Sequence, residues 1–487
     1  MLSIGSKLKE LSEHSLIYGL GSAMQSLLTF LLIPIYTFYF TVEEYGAISL
    51  IILIGSIIGT IFYFGISGSL SRSYYDYDDE SDRRKVVSTS LLLTIIGASI
   101  QIFFGLFLSE RFSIIFFGNN EYSQHIFLVI CISALAFLNN IFLLILRFKR
   151  KSLTVIILNI MTILIGISSI LFFINILKLG TLSVFTGQIL TQFILTIILI
   201  LNTFKHFEFE IKKEEIIIQL KFGIPTIFTA FFYLLITSSD RFLQNHFLSL
   251  EDVGIYSLGF LIGTVINIAF VQPFSLIWSP VRMEYRYDSN AREFLSLLPT
   301  YYFLVGLSIN LIITLFSMEL IILFISNVEY HAAYEIIPII SLAFLIFGSM
   351  NLFDHGIFFT RKVYIHSIIF LLCFLLNFLL NYFLLPIFGY KISALNLLFT
   401  FIFGLISVIL ISNKIDKYEY KILRLFKLFL LFFFIAFSGL FLNQYFSFLT
   451  LIAIKTMLLI LYGYIIFTNI LEDTEKRYFK NFLRERI

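Results

Sequence analysis

Long apolar runs, separated by short polar segments, dominate the pattern of hydrophobic and polar positions along the chain. A helix needs about 20 apolar residues to cross a bilayer, and fourteen runs reach or approach that length. None shows the short alternating pattern of an outer-membrane barrel strand. The pattern predicts an all-α polytopic membrane protein with about 14 transmembrane helices, over residues 15–40, 45–70, 86–108, 123–146, 153–175, 180–203, 222–243, 252–279, 296–318, 334–356, 363–386, 390–412, 425–443 and 447–470.

A ten-residue pattern occurs twice, 208 positions apart, and each copy lies between two apolar runs. Thr41-Val-Glu-Glu-Tyr-Gly-Ala-Ile-Ser-Leu50 matches Ser249-Leu-Glu-Asp-Val-Gly-Ile-Tyr-Ser-Leu258. In each copy the Thr or Ser can cap the first amides of a helix, and the acid three residues later can bond back to the cap. The alternative is chance similarity, because Ser/Thr-x-x-acid is a common helix start.

The repeated pattern predicts an internally duplicated chain. Six spans separate corresponding helices, so both halves have the same orientation and form parallel repeats about an axis normal to the membrane. The predicted organisation is two pseudo-symmetric six-helix lobes, residues 1–207 and 208–412, followed by two C-terminal helices and a tail in 413–487.

Composition and charge agree with this assignment. The chain is 59% hydrophobic and 13% charged, with a mean hydropathy of +0.94, whereas soluble domains are about a quarter charged. With the N-terminus inside, all but five of the 34 Lys and Arg residues lie on the cytoplasmic side. The exceptions are Arg111, Lys178, Arg241, Lys391 and Lys455. The positive-inside rule therefore predicts that both termini are cytoplasmic.

No enzymatic constellation is visible. The sequence contains no P-loop and no HExxH motif, and its seven histidines are scattered. His331 and His355 could be ligands, but their positions near span ends are more typical of interfacial residues. Cys131 and Cys373 both fall in apolar runs, which indicates small buried side chains rather than a disulfide or metal site. We expect no enzymatic activity and no cofactor, metal or nucleic-acid partner.

Polar residues inside the spans form two stripes. Span 1 carries Ser22, Gln25, Ser26 and Thr29 on one helical face, and span 7 carries Thr226, Thr229, Tyr233 and Thr237. Spans 1 and 7 are equivalent helices of the two halves, so we expect both stripes to face a shared cavity. Gln25, Thr29, Tyr233 and Thr237 are then candidate substrate-binding residues. The alternative is hydrogen bonding between helices without any cavity.

Charged residues in or beside the spans are further candidates, because a charge in hydrocarbon is costly. Arg241, supported by Asp240, flanks the stripe of span 7, although it could form only a rim ion pair with Asp240 or Glu251. Lys455 lies about eight residues into span 14, and its alternative is snorkelling to the interface. Three more arginines lie at inner helix ends, where they satisfy the charge rule with or without a ligand: Arg72, Arg147 and Arg361.

Dispersed stretches over residues 15–412 resemble Wzx-type polysaccharide flippases, which belong to the MOP exporter superfamily with MATE drug exporters and the lipid II flippase MurJ. The stretches are Leu31-Leu-Ile-Pro-Ile-Tyr36, Glu43-Glu-Tyr-Gly46, Phe64-Gly-Ile-Ser67 with Arg72, Asp240-Arg-Phe-Leu243, Glu251-Asp-Val-Gly-Ile-Tyr-Ser257, Tyr330-His-Ala-Ala-Tyr334 with Pro338, and Asn377-Phe-Leu-Leu-Asn381 before Leu385-Pro-Ile-Phe-Gly389. Their order and spacing carry the resemblance. Gly389-Tyr-Lys-Ile-Ser-Ala394 departs from the small-residue run usual in the family.

The resemblance implies a flippase that moves an undecaprenyl-pyrophosphate-linked oligosaccharide across the bacterial inner membrane by alternating access, for O-antigen of lipopolysaccharide or capsule. Membrane lipids and a polysaccharide polymerase are the other implied partners. Basic side chains would receive the pyrophosphate. One alternative is a MATE-like cation-coupled small-molecule antiporter, which is weakened because span 1 has no carboxylate between Glu13 and Glu43. The other is a non-transporting scaffold for polysaccharide assembly.

Overall fold

The computed structural model contains only helices, turns and loops in the part of the 487-residue chain that it describes. It describes residues 30–208, 210–284, 291–360, 362, 364–443, 445–473 and 475–477. The helices are α1 (Leu32–Tyr39), α2 (Val42–Phe62), α3 (Ile66–Ser73), α4 (Glu80–Phe117), α5 (Ser123–Phe148), α6 (Ser152–Asn175), α7 (Leu182–Thr203), α8 (Lys213–Ile236), α9 (Ser239–Phe247), α10 (Leu250–Gly263), α11 (Gln272–Glu284), α12 (Ala291–Phe324), α13 (Ile337–Phe353), α14 (His355–Phe359), α15 (Tyr364–Phe388), α16 (Lys391–Ile415), α17 (Ile422–Leu442) and α18 (Phe448–Ile465).

The lengths of these helices confirm the predicted polytopic fold. In the described part, twelve helical segments are long and apolar enough to cross a membrane. A thirteenth results if the 3₁₀ segment Val328–Glu335 and α13, bent by 43°, form one span. These segments correspond to the second to fourteenth predicted spans. The first predicted span, residues 15–40, lies mostly outside the described residues.

Both copies of the repeated pattern begin helices through the predicted caps. In the first copy, the Thr41 hydroxyl accepts the backbone N–H of Glu44 at 3.2 Å, and the Glu44 carboxylate accepts the N–H of Thr41 at 2.9 Å. In the second, the Ser249 hydroxyl accepts the N–H of Asp252 at 3.1 Å and donates to its carboxylate at 2.7 Å. Each cap satisfies amides that the first helical turn would otherwise leave unbonded.

The chain divides into two compact units. Unit 1 comprises residues 1–257 and 366–393, and unit 2 comprises residues 258–365 and 394–487. In unit 1, α3 to α7 enclose an apolar core whose fully buried members include Ile66, Val86, Ile141 and Leu199. The predicted lobe boundaries at residues 207 and 412 follow the sequence repeat rather than these units and stay a prediction.

Close glycine contacts recur at the 208-residue offset within the two units. A methyl group added at Gly55 would lie 3.2 Å from the backbone oxygen of Val129. A methyl group added at Gly263 would lie 3.2 Å from the backbone oxygen of Ile337, which is the residue 208 positions after Val129. Small residues let membrane helices approach closely. The two glycines therefore mark equivalent close helix crossings, one in each unit, as the predicted duplication would require.

Candidate functional site

The seventh predicted span is one long helical segment, Lys213–Phe247, that is interrupted by a short turn. Helix α8 ends at Ile236 and α9 begins at Ser239, with two non-helical residues between them. The break places Asp240 in the first turn of α9, where free amides and the helix dipole stabilise a carboxylate. The Asp240-Arg241 pair therefore lies at a helix start inside a long apolar segment.

The Asp240 carboxylate is fully buried and organises its neighbours. It accepts the backbone N–H of Arg241 at 2.8 Å and the hydroxyl of Tyr256 at 2.6 Å. The guanidinium carbon of Arg241 lies 5.7 Å from the centre of the Tyr256 ring, within the range of a cation–π interaction. Tyr45 also interacts electrostatically with Arg241. Tyr45 and Tyr256 belong to the two copies of the repeated pattern, and sequence reasoning selected neither.

The polar stripe of α8 is engaged in helix contacts. Thr226 donates to the backbone oxygen of Gly223 at 2.7 Å, and Thr237 donates to that of Tyr233 at 3.0 Å. The Thr229 hydroxyl lies 2.6 Å from that of Ser367 on α15. Hydrogen bonds within and between helices, the alternative interpretation of this stripe, are thus present. A role for Tyr233 and Thr237 in substrate binding stays a prediction.

Polar groups that sequence reasoning did not select converge at the start of α8. Glu215 is buried and accepts the hydroxyl of Tyr77 at 2.7 Å. This hydrogen bond, together with burial, raises the pKa of Tyr77 to about 12. One helical turn further on, Gln219 accepts the hydroxyl of Ser90 at 2.8 Å. A carboxylate in the first turn of an apolar helix is a functional candidate, and this feature could have identified Glu215 from the sequence.

The remaining arginine candidates have different surroundings. Arg72 is exposed at the end of α3, and its guanidinium carbon lies 4.9 Å from the centre of the Phe222 ring. Arg147 is exposed near the end of α5. At these positions, neither arginine belongs to the Asp240-Arg241 site. Three further candidates, Gln25, Thr29 and Arg361, lie outside the described residues.

Lys455 does not snorkel to an interface. Its side chain is fully buried in unit 2, where it forms an ion pair with Glu319 of α12. Its ammonium also lies 6.0 Å from the centre of the Phe316 ring. Sequence reasoning named no partner for Lys455. The partner belongs to span 9, whose predicted end at residue 318 fell one position short of Glu319.

A second buried ion pair in unit 2 was missed by sequence reasoning. Arg282, at the end of α11, lies 2.6 Å from the carboxylate of Asp354, and both side chains are about 95% buried. The guanidinium carbon lies 3.6 Å from the centre of the Phe358 ring. Asp354 falls inside a predicted span, so a carboxylate in an apolar run was the signal that could have found this pair.

His355 packs beside that ion pair. Its ring is fully buried among Trp278, Tyr418 and Phe359, with ring centres 4.9–5.9 Å away. Neither ring nitrogen has a hydrogen-bond partner among the described residues. Burial, reinforced by the charge of Arg282, lowers the pKa of His355 to about 4. His355 is therefore neutral at physiological pH.

The described residues contain no group of three or more His, Cys, Asp or Glu side chains that could hold a metal ion. They contain four buried cations, Arg241, Arg282, Arg424 and Lys455. The last three form ion pairs with Asp354, Glu475 and Glu319, respectively, and Arg241 directly follows the buried Asp240. Such sites can hold an anion when it replaces the carboxylate, which is the chemistry of charge-assisted hydrogen bonding.

Comparison with solved structures shows the same fold in membrane transporters. "Lipid II flippase MurJ, inward closed conformation" aligns over 95% of this chain and 99% of its own, with a TM-score of 0.71 and 15% identity. A point mutant of the Vibrio cholerae MATE transporter VcmN aligns over 83% and 97%, with a TM-score of 0.58 and 14% identity. An outward-facing multidrug resistance MATE transporter of the MOP superfamily aligns over 83% and 95%, with a TM-score of 0.61 and 12% identity. No curated protein sequence matches the chain.

The long apolar helices and the shared fold define a polytopic membrane protein with the fold seen in MurJ and the MATE transporters. Within that class, the sequence profile of a family described as "Polysaccharide biosynthesis protein" matches residues 11–285, more than half of the chain. The chain belongs to this polysaccharide biosynthesis family. The predicted resemblance is confirmed at the level of family and fold.

Proposed function

We propose that the chain is a flippase that moves polyprenyl-pyrophosphate-linked oligosaccharides from the cytoplasmic to the outer leaflet of a bacterial inner membrane. The observation that carries this proposal is the buried guanidinium of Arg241 beside the break in span 7. A pyrophosphate cannot cross hydrocarbon unpaired, and the planar guanidinium binds two phosphate oxygens at once. Helix starts at interruptions within spans are also where transporters of other folds bind anionic groups. The family supports a role in polysaccharide synthesis, and O-antigen or capsule is the product that we propose.

An apolar groove in unit 2 supports a lipid-linked substrate. It has a volume of about 730 Å³ and lies among α12, α13, α16 and α17. Its walls include Phe303, Ile346, Ile402 and Phe429, whereas Lys417 is at a polar end. Deep apolar walls with a few polar groups at one end suit an amphiphile. We assign this groove to part of the polyprenyl chain.

The other candidate residues take roles around this site. Asp240 positions Arg241 when no substrate is bound, and Tyr233 and Thr237, with Gln25 and Thr29, contact sugar hydroxyls. The arginines at the inner helix ends, Arg72, Arg147 and Arg361, first bind the substrate from the inner leaflet. Because Lys455 is already paired with Glu319, we assign it a structural role before a substrate role.

The proposed transport cycle is alternating access between two six-helix lobes, residues 1–207 and 208–412, with residues 413–487 outside the duplication. Both termini are cytoplasmic, as the distribution of Lys and Arg favours. A polysaccharide polymerase acts on the delivered units. Of the two transporter types, we favour the lipid flippase, because MurJ aligns over 95% of this chain and the two MATE structures over 83%.

The test is replacement of Arg241 in cells that depend on this chain for surface polymer. Arg241→Ala should lower export about 10- to 100-fold, because a charge-assisted hydrogen bond contributes roughly 1.5–3 kcal/mol. Arg241→Lys keeps the charge but loses the planar fork, so we expect a partial loss. Export is measured as labelled polymer on the cell surface, with the amount of protein in the membrane measured in parallel.

Lys178→Ala is the matched control, since Lys178 is exposed between two helices and lies outside both units' buried charge sites. If the Arg241→Ala protein accumulates normally and still exports polymer at the original rate, Arg241 has only a structural role. A deletion strain separates the alternatives. Loss of surface polymer with unchanged drug resistance supports the flippase, whereas retained polymer with new drug sensitivity favours a MATE-like antiporter.

A further inference from the structure

The duplication relates two long helices, α4 in unit 1 and α12 in unit 2, whose ends correspond position by position. Asn119 and Asn327 follow α4 and α12, 208 positions apart. Each accepts the backbone N–H of the glutamate two residues later, at 3.0 and 3.1 Å. The last turns of the two helices can therefore be compared at this offset.

Side chains at equivalent positions of α4 and α12 form a ridge along each helix, and the two ridges differ sharply in exposure. On α12, Leu311 and Leu315 are 0% exposed. Their counterparts on α4, Phe103 and Phe107, are 59% and 63% exposed. Single exposed aromatic residues are ordinary where a membrane helix faces lipid. A ridge that is fully covered in one repeat and bare in the other requires a specific explanation.

Helices α17 and α18 cover the ridge of α12. Gly439 of α17 packs so closely on Leu315 that an added methyl group would overlap the leucine. One turn further along α12, Glu319 forms the ion pair with Lys455 of α18. These two helices follow the second repeat, so the first repeat has no counterpart of them in the sequence.

The charge on α4 is the reverse of that on α12. The position equivalent to Glu319 is Arg111, which is exposed. Arg111 forms no ion pair within the part of the chain that the structure describes. The adjacent carboxylate, Glu110, accepts a hydrogen bond from Asn120 at 3.3 Å. A helix packed on α4 as α17 and α18 pack on α12 would meet a cation where α18 meets an anion.

We propose that this ridge, Phe103, Phe107 and Arg111, is a docking surface for a transmembrane helix of a second membrane protein that presents a carboxylate to Arg111. The partner helix takes the place that α17 and α18 occupy on the second repeat. A second copy of this chain fits poorly. Symmetric packing of α4 on α4 would oppose two arginines, and the Lys455 face of α18 in a second copy is already packed on α12 of its own chain. Like charges facing each other at a membrane interface oppose association.

The test uses the full chain in its native membrane, with a photo-cross-linking phenylalanine in place of Phe107. The matched control carries the same probe at Phe193 of α7, which is 57% exposed and lies off the ridge. We expect Phe107 to cross-link to a transmembrane segment that contains an Asp or Glu, and Phe193 to cross-link to lipid. Mass spectrometry of the adduct identifies the segment.

Charge variants decide whether the adduct reflects docking. Arg111→Glu should lower the cross-linking yield about tenfold, and Arg111→Lys should retain it. Changing the identified carboxylate to Arg should restore the yield of Arg111→Glu. Membrane accumulation of each variant is measured first, and Arg111→Lys remains informative if Arg111→Glu does not accumulate. The proposal is overturned by lipid adducts alone at Phe107, by an adduct to a second copy, by an adduct to residues 1–29 of the same chain, or by a yield indifferent to Arg111.

Discussion

Removing one partner of the Lys455–Glu319 ion pair is expected to destabilise the protein more than removing both. Lys455→Met keeps the length of the side chain but leaves the Glu319 carboxylate buried without its cation. Breaking a buried pair in this way costs about 3–5 kcal/mol, whereas replacing both partners by apolar residues is often close to neutral. Glu319→Met alone strands the ammonium and should cost a similar amount. The double variant should therefore recover most of the stability.

The single tryptophan of the chain provides the assay. Trp278 is 5% exposed and belongs to unit 2, as do Lys455 and Glu319. Its fluorescence during a denaturant titration in detergent reports the unfolding of this unit. From the wild type, the two single variants and the double variant, we expect a coupling free energy of about 3 kcal/mol or more.

The exposed pair between Lys421 and Glu472 is the matched control. Their charged groups lie 2.7 Å apart, but the side chains are 41% and 51% exposed. Lys421→Met should therefore cost less than about 1 kcal/mol. If Lys455→Met costs no more than Lys421→Met, or if the cost of the double variant equals the sum of the two single costs, the pair does not act as a buried ion pair and the reasoning fails.

Two further predictions test packing and protonation. Gly46→Ala should destabilise the protein by about 1–3 kcal/mol in thermal unfolding, because its methyl group would overlap the backbone oxygen of Leu250. Gly463→Ala, with no neighbouring atom within 4 Å, is the control, and equal effects would contradict the close contact. Folding lowers the pKa of His355 from an ordinary 6.5 to about 4. Between these two pH values, His355 is protonated in the unfolded chain but neutral in the folded protein. Stability should then be full above pH 6.5 and fall by up to about 3 kcal/mol towards pH 4. His355→Phe should flatten that decline in calorimetry, and an unchanged pH profile would exclude His355 as its source.

The features that the sequence predicts well depend on neighbouring residues. A run of apolar residues predicts a span through its length alone. The caps at Thr41 and Ser249 involve partners three residues away, so their geometry could be anticipated from spacing. The break that separates α8 from α9 was not anticipated, because Thr237 and the following serines are compatible with a continuous helix.

The ion pairs depend on helices that are distant in sequence. Lys455 and Glu319 are 136 positions apart, and Arg282 and Asp354 are 72 apart. The hydropathy pattern shows that each residue is charged and close to an apolar run, but it does not show which helices pack together. A charge near a span end is ambiguous between snorkelling and pairing. Only the packing of α18 on α12 decided this for Lys455.

The glycines of the repeated pattern, Gly46 and Gly254, lie where the two copies contact each other. A methyl group at Gly46 would overlap the backbone oxygen of Leu250, and one at Gly254 would overlap that of Val42. Gly254 and Leu250 follow Gly46 and Val42 by 208 positions, so each copy makes the same contact with the other. This is the geometry of an isologous interface, in which one patch is complementary to itself. Neither glycine can be enlarged without displacing backbone of the opposite copy. The constraint on each copy of the pattern is therefore the other copy, which accounts for a glycine at the same position in both.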